Sequence, residues 1–444
     1  MMRIRVFILS VLCYTMLCLH PLMGQKALKK QRRELYDLVH NSSVFSQFFT
    51  GFFIEDAVTG EILFEKDADK YFTPASNVKL ITFYTALNVL GDSLNIWRVA
   101  EKDGQLIIQG TGNPMWRHPA FQSVEQPEPW KTSGLPVQLS FDNWKGTRFG
   151  SGWSWADYPY YYQVERSPIP VHGNYIRLKR DSSGKWTTSP GQWLNEVTLE
   201  KENKSLKPRI YREEADNKFM ANKVAFDTSF NLLVPFRTNP ETILKIFRED
   251  IQQPVSQFKL NAHSDLTFTD YKILMPDTLY RFFMQESDNF IGEQLMILCS
   301  DKKFGYLDPE KFIAFARDSI LFDLPQKPVW ADGSGLSRYN LFSPKDMAFI
   351  LKKLLNMMPQ ERLFSLLPAG GVSGTISGSY KGQGKPFVYA KTGSLSNNHC
   401  LSGYVVTNSG KVLIFSFMNN HFVEGSTIVK NEMNKVLTYL RDTF

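Results

Sequence analysis

The chain has 444 residues, 43% hydrophobic and 21% charged, an ordinary globular composition that excludes a disordered, collagen-like or coiled-coil chain. Its length predicts two or three domains at about 100–200 residues each. The formal charge of +7 is modest for this length and gives no argument for a nucleic-acid partner, and seven His with four Cys are too scattered for a multi-metal protein.

Met1 to Arg5 carries two Arg, Val6 to Leu19 is nearly all apolar, and His20-Pro21 breaks the run just before the small residue Gly24. This predicts a secretory signal peptide over 1–24 and a periplasmic, exported protein. An uncleaved N-terminal anchor, with peripheral membrane association, is the alternative, although the apolar run is short for a span. Without 1–24 the net charge is +5 and the remaining cysteines are Cys299 and Cys400. Two Cys make no disulfide framework, and buried thiols are the favoured reading.

Lys26 to Asn41 reads as a polar helix with Leu28, Leu35 and Leu38 on one side. Phe52-Phe53-Ile54 and Ile62-Leu63-Phe64 flank Thr59-Gly60 and predict a β-hairpin. Pro74 announces a helix whose Leu80, Phe83, Leu87 and Leu90 recur at helical spacing up to a capping Gly91. Residues 98–262 differ in texture: they hold seven of the nine Trp and 13 of the 23 Pro, and their short, broken apolar runs predict strands and turns. Asp277 to Gln285 and Asp288 to Cys299 read as helices separated by a polar break at Glu286-Ser287. Phe387 to Ala390, Leu401 to Thr407 and Lys411 to Met418 read as strands, and Thr427 to Asp442 as an amphipathic helix.

The economical assembly is an α+β fold. One five-stranded antiparallel sheet packs both terminal helices on one face and a helical cluster on the other. A split domain over 25–97 and 263–444 then carries a β-rich insertion over 98–262.

Three short patterns carry chemistry. Ser76-Asn77-Val78-Lys79 places a Ser and a Lys about one turn apart at a helix start. A neutral Lys amine there can take the Ser proton and make an acyl-transfer nucleophile, and the helix N-terminus favours the developing charge. Ser287-Asp288-Asn289 falls in the break between two helices, where Ser287 or Asp288 alone would be an ordinary N-cap. Lys391-Thr392-Gly393 ends a strand and is followed by Ser394. Lys391 and Thr392 suit a substrate carboxylate, Gly393 allows close approach of ligand, and the N–H groups of Ser76 and Ser394 suit an oxyanion hole. Ser-x-x-Lys and Ser-x-Asn recur by accident elsewhere, as in Ser256-Gln257-Phe258-Lys259 and Ser229-Phe230-Asn231, and a strand-end Lys before a turn Gly is common. Their order and context are what is specific: the trio marks penicillin-binding proteins and class A β-lactamases. There is no Gly-x-Ser-x-Gly elbow, paired-His metal motif or phosphate-binding Gly loop, so no cofactor is expected.

Trp330-Ala331-Asp332-Gly333-Ser334-Gly335-Leu336-Ser337-Arg338 and Leu367 to Thr375 resemble segments of low-molecular-mass class C penicillin-binding proteins, the D-alanyl-D-alanine carboxypeptidases and endopeptidases. The resemblance implies the serine β-lactamase and transpeptidase-like fold, peptidoglycan stem peptides as substrate and β-lactams as covalent inhibitors. It further implies Ser76 as nucleophile, Lys79 as base, Ser287 as proton relay, Asn289 as substrate-orienting group, and Lys391 with Thr392 at the terminal carboxylate. Leu336, Arg338 and Asp157 become candidates for a pocket receiving a diaminopimelate side chain. The bland reading has Arg338 paired inside the domain and Trp155 in the core of the insertion. A serine β-lactamase and a non-catalytic wall-binding homologue are the competing functions.

Overall fold

The computed structural model describes residues 28–180, 183–200, 210–222, 231–259 and 266–444; the expected signal peptide over 1–24 lies outside them. In chain order, helix α1 (28–40) leads to strands β1 (Phe49–Asp56) and β2 (Ile62–Lys66) and helix α2 (Val78–Leu90). Between α2 and the next long helices the chain runs through β3 (Ser93–Lys102), β4 (Gln105–Gly110), α3 (Pro129–Ser133), β5 (Val137–Ser140), β6 (Tyr175–Arg180), β7 (Trp186–Ser189), β8 (Val197–Glu200), β9 (Ile210–Arg212), β10 (Phe219–Asn222), β11 (Asn231–Pro235), α4 (Pro240–Ile251), β12 (Val255–Phe258) and β13 (Thr269–Leu274). Helices α5 (Asp277–Gln285), α6 (Asn289–Phe304), α7 (Pro309–Ser319), α8 (Pro344–Met357) and α9 (Gln360–Leu366) follow. Strands β14 (Val388–Leu395), β15 (Asn398–Val406) and β16 (Val412–Asn420) and helix α10 (Ser426–Thr443) close the chain.

The first and last segments share one antiparallel sheet in the order β14-β15-β16-β1-β2. Strand alternation sends successive side chains to opposite faces, and both faces are apolar. Phe52, Ile54, Leu401, Phe415 and Phe417 meet Leu35 and Val39 of α1 and Met433 and Leu437 of α10. Phe53, Cys400, Tyr404, Ile414 and Met418 face Val78, Ile81 and the other helices. The sheet is thus the middle layer of three, and its centre is buried throughout, as the fully covered β15 and β16 show.

Two expectations change in detail. Lys391-Thr392-Gly393 lies inside β14 rather than at its end, because the hairpin to β15 turns only at Ser396-Asn397, with Asn397 at φ 69°. Helix α6 continues past Cys299 to Phe304 and stops at Gly305, φ 78°, a left-handed C-cap. Cys299 and Cys400 are both free and buried.

Between α2 and α5, a second sheet runs β12-β5-β4-β3-β13, and two three-stranded sheets run β8-β10-β9 and β11-β6-β7. Two of the tryptophans in 98–262, Trp116 and Trp130, share a packing cluster with Trp97 just before it. Trp97, Trp116 and Trp130 meet edge to face with centroids 5.6–5.7 Å apart and close on Phe247, an arrangement aromatic quadrupoles favour.

Candidate active site

Ser76 sits in a 3-10 turn, Ala75–Asn77, that feeds α2. Ala75 has φ 48°, a left-handed conformation that a residue with a Cβ adopts only under constraint. The constraint comes from the fully buried Asn77: its amide donates to the Lys391 carbonyl (2.8 Å), and its carbonyl accepts the Ser402 hydroxyl (2.6 Å). Two glycines let neighbouring backbones press on this turn. A Cβ on Gly393 would come 2.3 Å from the Pro74 carbonyl oxygen, and one on Gly335 would come 2.0 Å from that of Ala75.

One helical turn beyond Ser76, the Lys79 amine lies 2.8 Å from the Ser76 hydroxyl, 2.6 Å from Asn289 Oδ1 and 2.6 Å from the Ser334 carbonyl. Burial pushes its pKa down to about 8, against the opposing pull of Asp288, Asp332 and Glu293. Lys391 is equally buried and its pKa is held well below the ordinary lysine range, first by desolvation and then by the Lys79 charge.

Helix α5 ends at Gln285, and Asp288 caps α6 by accepting the Ile291 N–H at 2.8 Å. Between them Ser287 takes φ 57°. Its hydroxyl accepts from Lys391 Nζ at 2.8 Å, while Lys391 also donates to the Thr392 carbonyl. Asn289, in the first turn of α6, donates through its amide nitrogen to the Tyr162 carbonyl of the insertion at 2.8 Å. Ser76, Lys79 and Asn289 thus form one hydrogen-bonded group and Ser287 with Lys391 a second, and the Asn77 amide on the Lys391 carbonyl ties the Ser76 turn to the strand that carries the second.

The segment 330–340 closes another side. The buried Asp332 carboxylate accepts the N–H groups of Gly335 (2.8 Å) and Ser337 (2.6 Å), the Asn340 amide (2.7 Å) and the Trp153 indole (2.8 Å). Glu293 of α6 accepts the Ser334 N–H at 2.8 Å and pairs with Arg166 at 2.7 Å, both side chains wholly buried. Burial raises the Glu293 pKa and the Arg166 charge opposes it.

These elements enclose a cleft of ≈ 1080 Å³ that Ser76, Ser287, Asn289, Thr392, Ser394, Leu336, Arg338 and Asp157 all line. Lys79 and Lys391 lie beneath its surface. The Thr392 hydroxyl is 2.8 Å from that of Thr375, and Ser394 bonds His399 Nδ1 at 2.8 Å. Arg338 is exposed and donates to the Ser396 carbonyl at 3.3 Å. Trp155 is 71% exposed and so is no part of the insertion's core. Asp157, two residues on, hydrogen-bonds Tyr162.

Sequence reasoning missed Asn77, Tyr162, Arg166 and Glu293 and gave no role to Asp332 or Thr375. Asp332 and Thr375 stood within segments singled out by their resemblance. Arg166 and Glu293 are 127 positions apart, and no local pattern signals such a pair.

The model of the D-Ala-D-Ala carboxypeptidase 3 (S13) family matches residues 32–220 and 275–442. The chain belongs to that family. It is a serine-type hydrolase with the penicillin-binding-protein, transpeptidase-like fold. Among curated proteins it is similar to the D-alanyl-D-alanine carboxypeptidase DacB of Haemophilus influenzae, 30% identical over 180 residues, a stretch spanning 38% of this chain and 36% of that protein. It is also similar to the D-alanyl-D-alanine carboxypeptidase of Actinomadura sp. (strain R39), 24% identical over 440 residues, 87% of this chain and 80% of that one. The crystal structure of penicillin binding protein 4 (dacB) from Haemophilus influenzae superposes with a TM-score of 0.73 at 20% identity, over 93% of this chain and 99% of that one; that likeness speaks for the fold.

Proposed function

We propose that the chain hydrolyses D-alanyl-D-alanine and cross-linking D,D-peptide bonds of peptidoglycan stem peptides through an acyl-enzyme on Ser76, and that β-lactams acylate the same oxygen. The observation that carries the reading is the Lys79 amine, buried, 2.8 Å from Ser76 Oγ and with its pKa drawn down to about 8. An amine in that range is poised to accept a proton near neutral pH. The Haemophilus influenzae penicillin binding protein 4, whose structure was also solved in complex with a novel β-lactam, supports the inhibitor class.

As Ser76 Oγ bonds the scissile carbonyl carbon, its proton passes to neutral Lys79. The oxyanion rests on the N–H groups of Ser76 and Ser394. Collapse breaks the C–N bond, and the proton that Lys79 took passes on through the Ser287 hydroxyl to the leaving amine, which leaves Lys79 neutral again. Lys391, donating to that hydroxyl, makes it a better acid. Water then attacks the ester, Lys79 accepts its proton, and Ser76 Oγ regains a proton as the ester C–O bond breaks. The terminal carboxylate meets the paired Thr392 and Thr375 hydroxyls, with the Lys391 charge acting from below the cleft surface. Gly393 keeps the strand edge close. Asn289 holds Lys79 and orients the substrate peptide. Leu336, Arg338 and Asp157 line the part of the cleft suited to a zwitterionic side chain, Asp157 for its ammonium. The work is at the cell envelope, on the exported side.

The test is digestion of cross-linked and pentapeptide muropeptides by the chain lacking 1–24, with Ser76→Ala as control, and mass spectrometry of the penicillin adduct. Cleavage that Ser76→Ala abolishes, with a stoichiometric adduct on Ser76, is expected. Cleavage surviving Ser76→Ala overturns the reading. Rapid multiple turnover of nitrocefin would point to a β-lactamase instead.

A further inference from the structure

The cleft extends past Ser287 into a stretch where the insertion supplies a wall. On β6, side chains alternate: Ile176 and Leu178 are wholly buried on one face, whereas Tyr175 and Arg177 turn to the cleft. Leu233, directly opposite Arg177 on β11, lines it too. Phe282 and the exposed Glu286, next to Ser287, line the same cleft. Among the described residues Arg177 Nε is buried without a hydrogen-bond partner, and the guanidinium hydrogen-bonds the neutral Tyr175 hydroxyl. Tyr175 in turn feels the charge of Asp288, which fixes this wall beside the Ser287 flank of the cleft. A guanidinium held at a cleft wall, with its planar fork free of any carboxylate ion pair among the described residues, suits a carboxylate supplied from outside.

We propose that Arg177, with Glu286 lining the same cleft, forms a subsite for the leaving strand, binding a carboxylate of the second stem peptide whose amine departs past Ser287. The proposal rests on the reading of the site given above. In a simple carboxypeptidase turnover the leaving group is a single D-alanine, small and close to Ser287. In cross-link cleavage it is an entire peptide carrying further carboxylates and an ammonium, which reach Arg177 and Glu286. The subsite therefore raises activity on cross-linked dimers selectively and makes endopeptidase cleavage the activity this cleft is built for.

The experiment compares full mature enzyme and its Arg177→Ala, Arg177→Gln and Arg177→Lys variants on a cross-linked muropeptide dimer, on the same dimer with the leaving strand's carboxylates amidated, and on a monomeric pentapeptide. Penicillin acylation reports folding. Loss of one charge-assisted hydrogen bond corresponds to about a ten- to hundredfold effect. Arg177→Ala is expected to lose that factor in kcat/KM on the dimer, mainly through KM, with pentapeptide cleavage within about twofold. Amidation should cost wild type the same factor and the variant nothing more, and Arg177→Lys should recover part of the loss. Equal losses on dimer and pentapeptide, or no loss on the dimer, overturn the subsite. Failure of wild type to cleave either substrate overturns the reading of the site itself, and the subsite with it.

Discussion

The protonation of Lys79 gives the sharpest quantitative test. Its pKa is about 8 because the amine is wholly buried, and only the neutral amine can take the Ser76 proton. A lysine of that pKa is neutral in about 1% of molecules at pH 6, about 9% at pH 7 and about 90% at pH 9. The second-order rate of acylation by a fluorescent penicillin should therefore climb nearly tenfold from pH 6 to 7 and flatten near pH 9. An ordinary lysine near 10.4 would still be climbing steeply there. Asp288 is the first of the carboxylates that hold the Lys79 pKa up. Asp288→Asn removes that charge and keeps an equally good N-cap for α6, so the acidic limb should move to lower pH. The limb belongs to the coupled Lys79 and Lys391 pair rather than to either residue alone. Each unit of displacement is a tenfold gain at a fixed pH well below the midpoint. Stopped-flow acylation from pH 5.5 to 10 reads both profiles. A wild-type limb still unlevelled at pH 10, or an Asp288→Asn limb moved upward, would refute the link between burial of this amine and nucleophile activation.

Gly335→Ala places a Cβ 2.0 Å from the Ala75 carbonyl oxygen and forces a side chain onto φ 85°. It should cut penicillin acylation more than tenfold and lower stability by at least about 1–3 kcal/mol, read by labelled adduct and thermal melt; near-normal acylation would remove this contact from the account of the site. Glu293→Ala leaves Arg166 buried without that partner and should cost about 3–5 kcal/mol in denaturant unfolding, while conversion of Glu310, the exposed partner of Arg166, should cost about 1 kcal/mol or less. Equal costs for the two would show that burial is not what sets the value of the pair.

The sequence made the three-layer sheet legible because its signals are local. Thr59-Gly60 turns a hairpin whose Gly60 has φ 72°, and Gly91 ends α2 at φ 63°; both are residue-type requirements of the backbone. The consecutive Phe52 and Phe53 point to opposite faces of the strand and are both buried, which fits a sheet covered on both sides. Ser76, Ser287 and Lys391 were legible only as a trio in order, since each motif alone is weak. What stayed hidden depends on distant pairing. Arg166 meets Glu293, and Tyr162 offers a carbonyl to Asn289, by virtue of how the insertion lies on α6. The bland alternative that put Trp155 in a core falls because the residue is exposed, and an exposed aromatic and a core aromatic look alike in a single sequence. The extra length of β14 was missed because a two-residue turn at Ser396-Asn397 is set by hairpin geometry more than by hydrophobicity.

The same long-range contacts explain why the site tolerates an unfavourable local backbone. Ala75 and Ser287 both hold left-handed conformations at φ 48° and 57°, each costing about 1–3 kcal/mol, and both stand where a reacting hydroxyl must be aimed. Neither is glycine, so local sequence offers no relief. Instead, Asn77 ties the first turn to the carbonyl of Lys391, and Lys391 ties its own amine to Ser287. One residue on the central sheet thus grips both strained turns, once through its backbone and once through its side chain. Lys391 is then a structural clasp as well as a charge. It follows that neutral replacements at this position should misplace Ser287 while the backbone carbonyl still holds the Ser76 turn, whereas a change at Thr392, whose hydroxyl faces the cleft, should touch substrate alone.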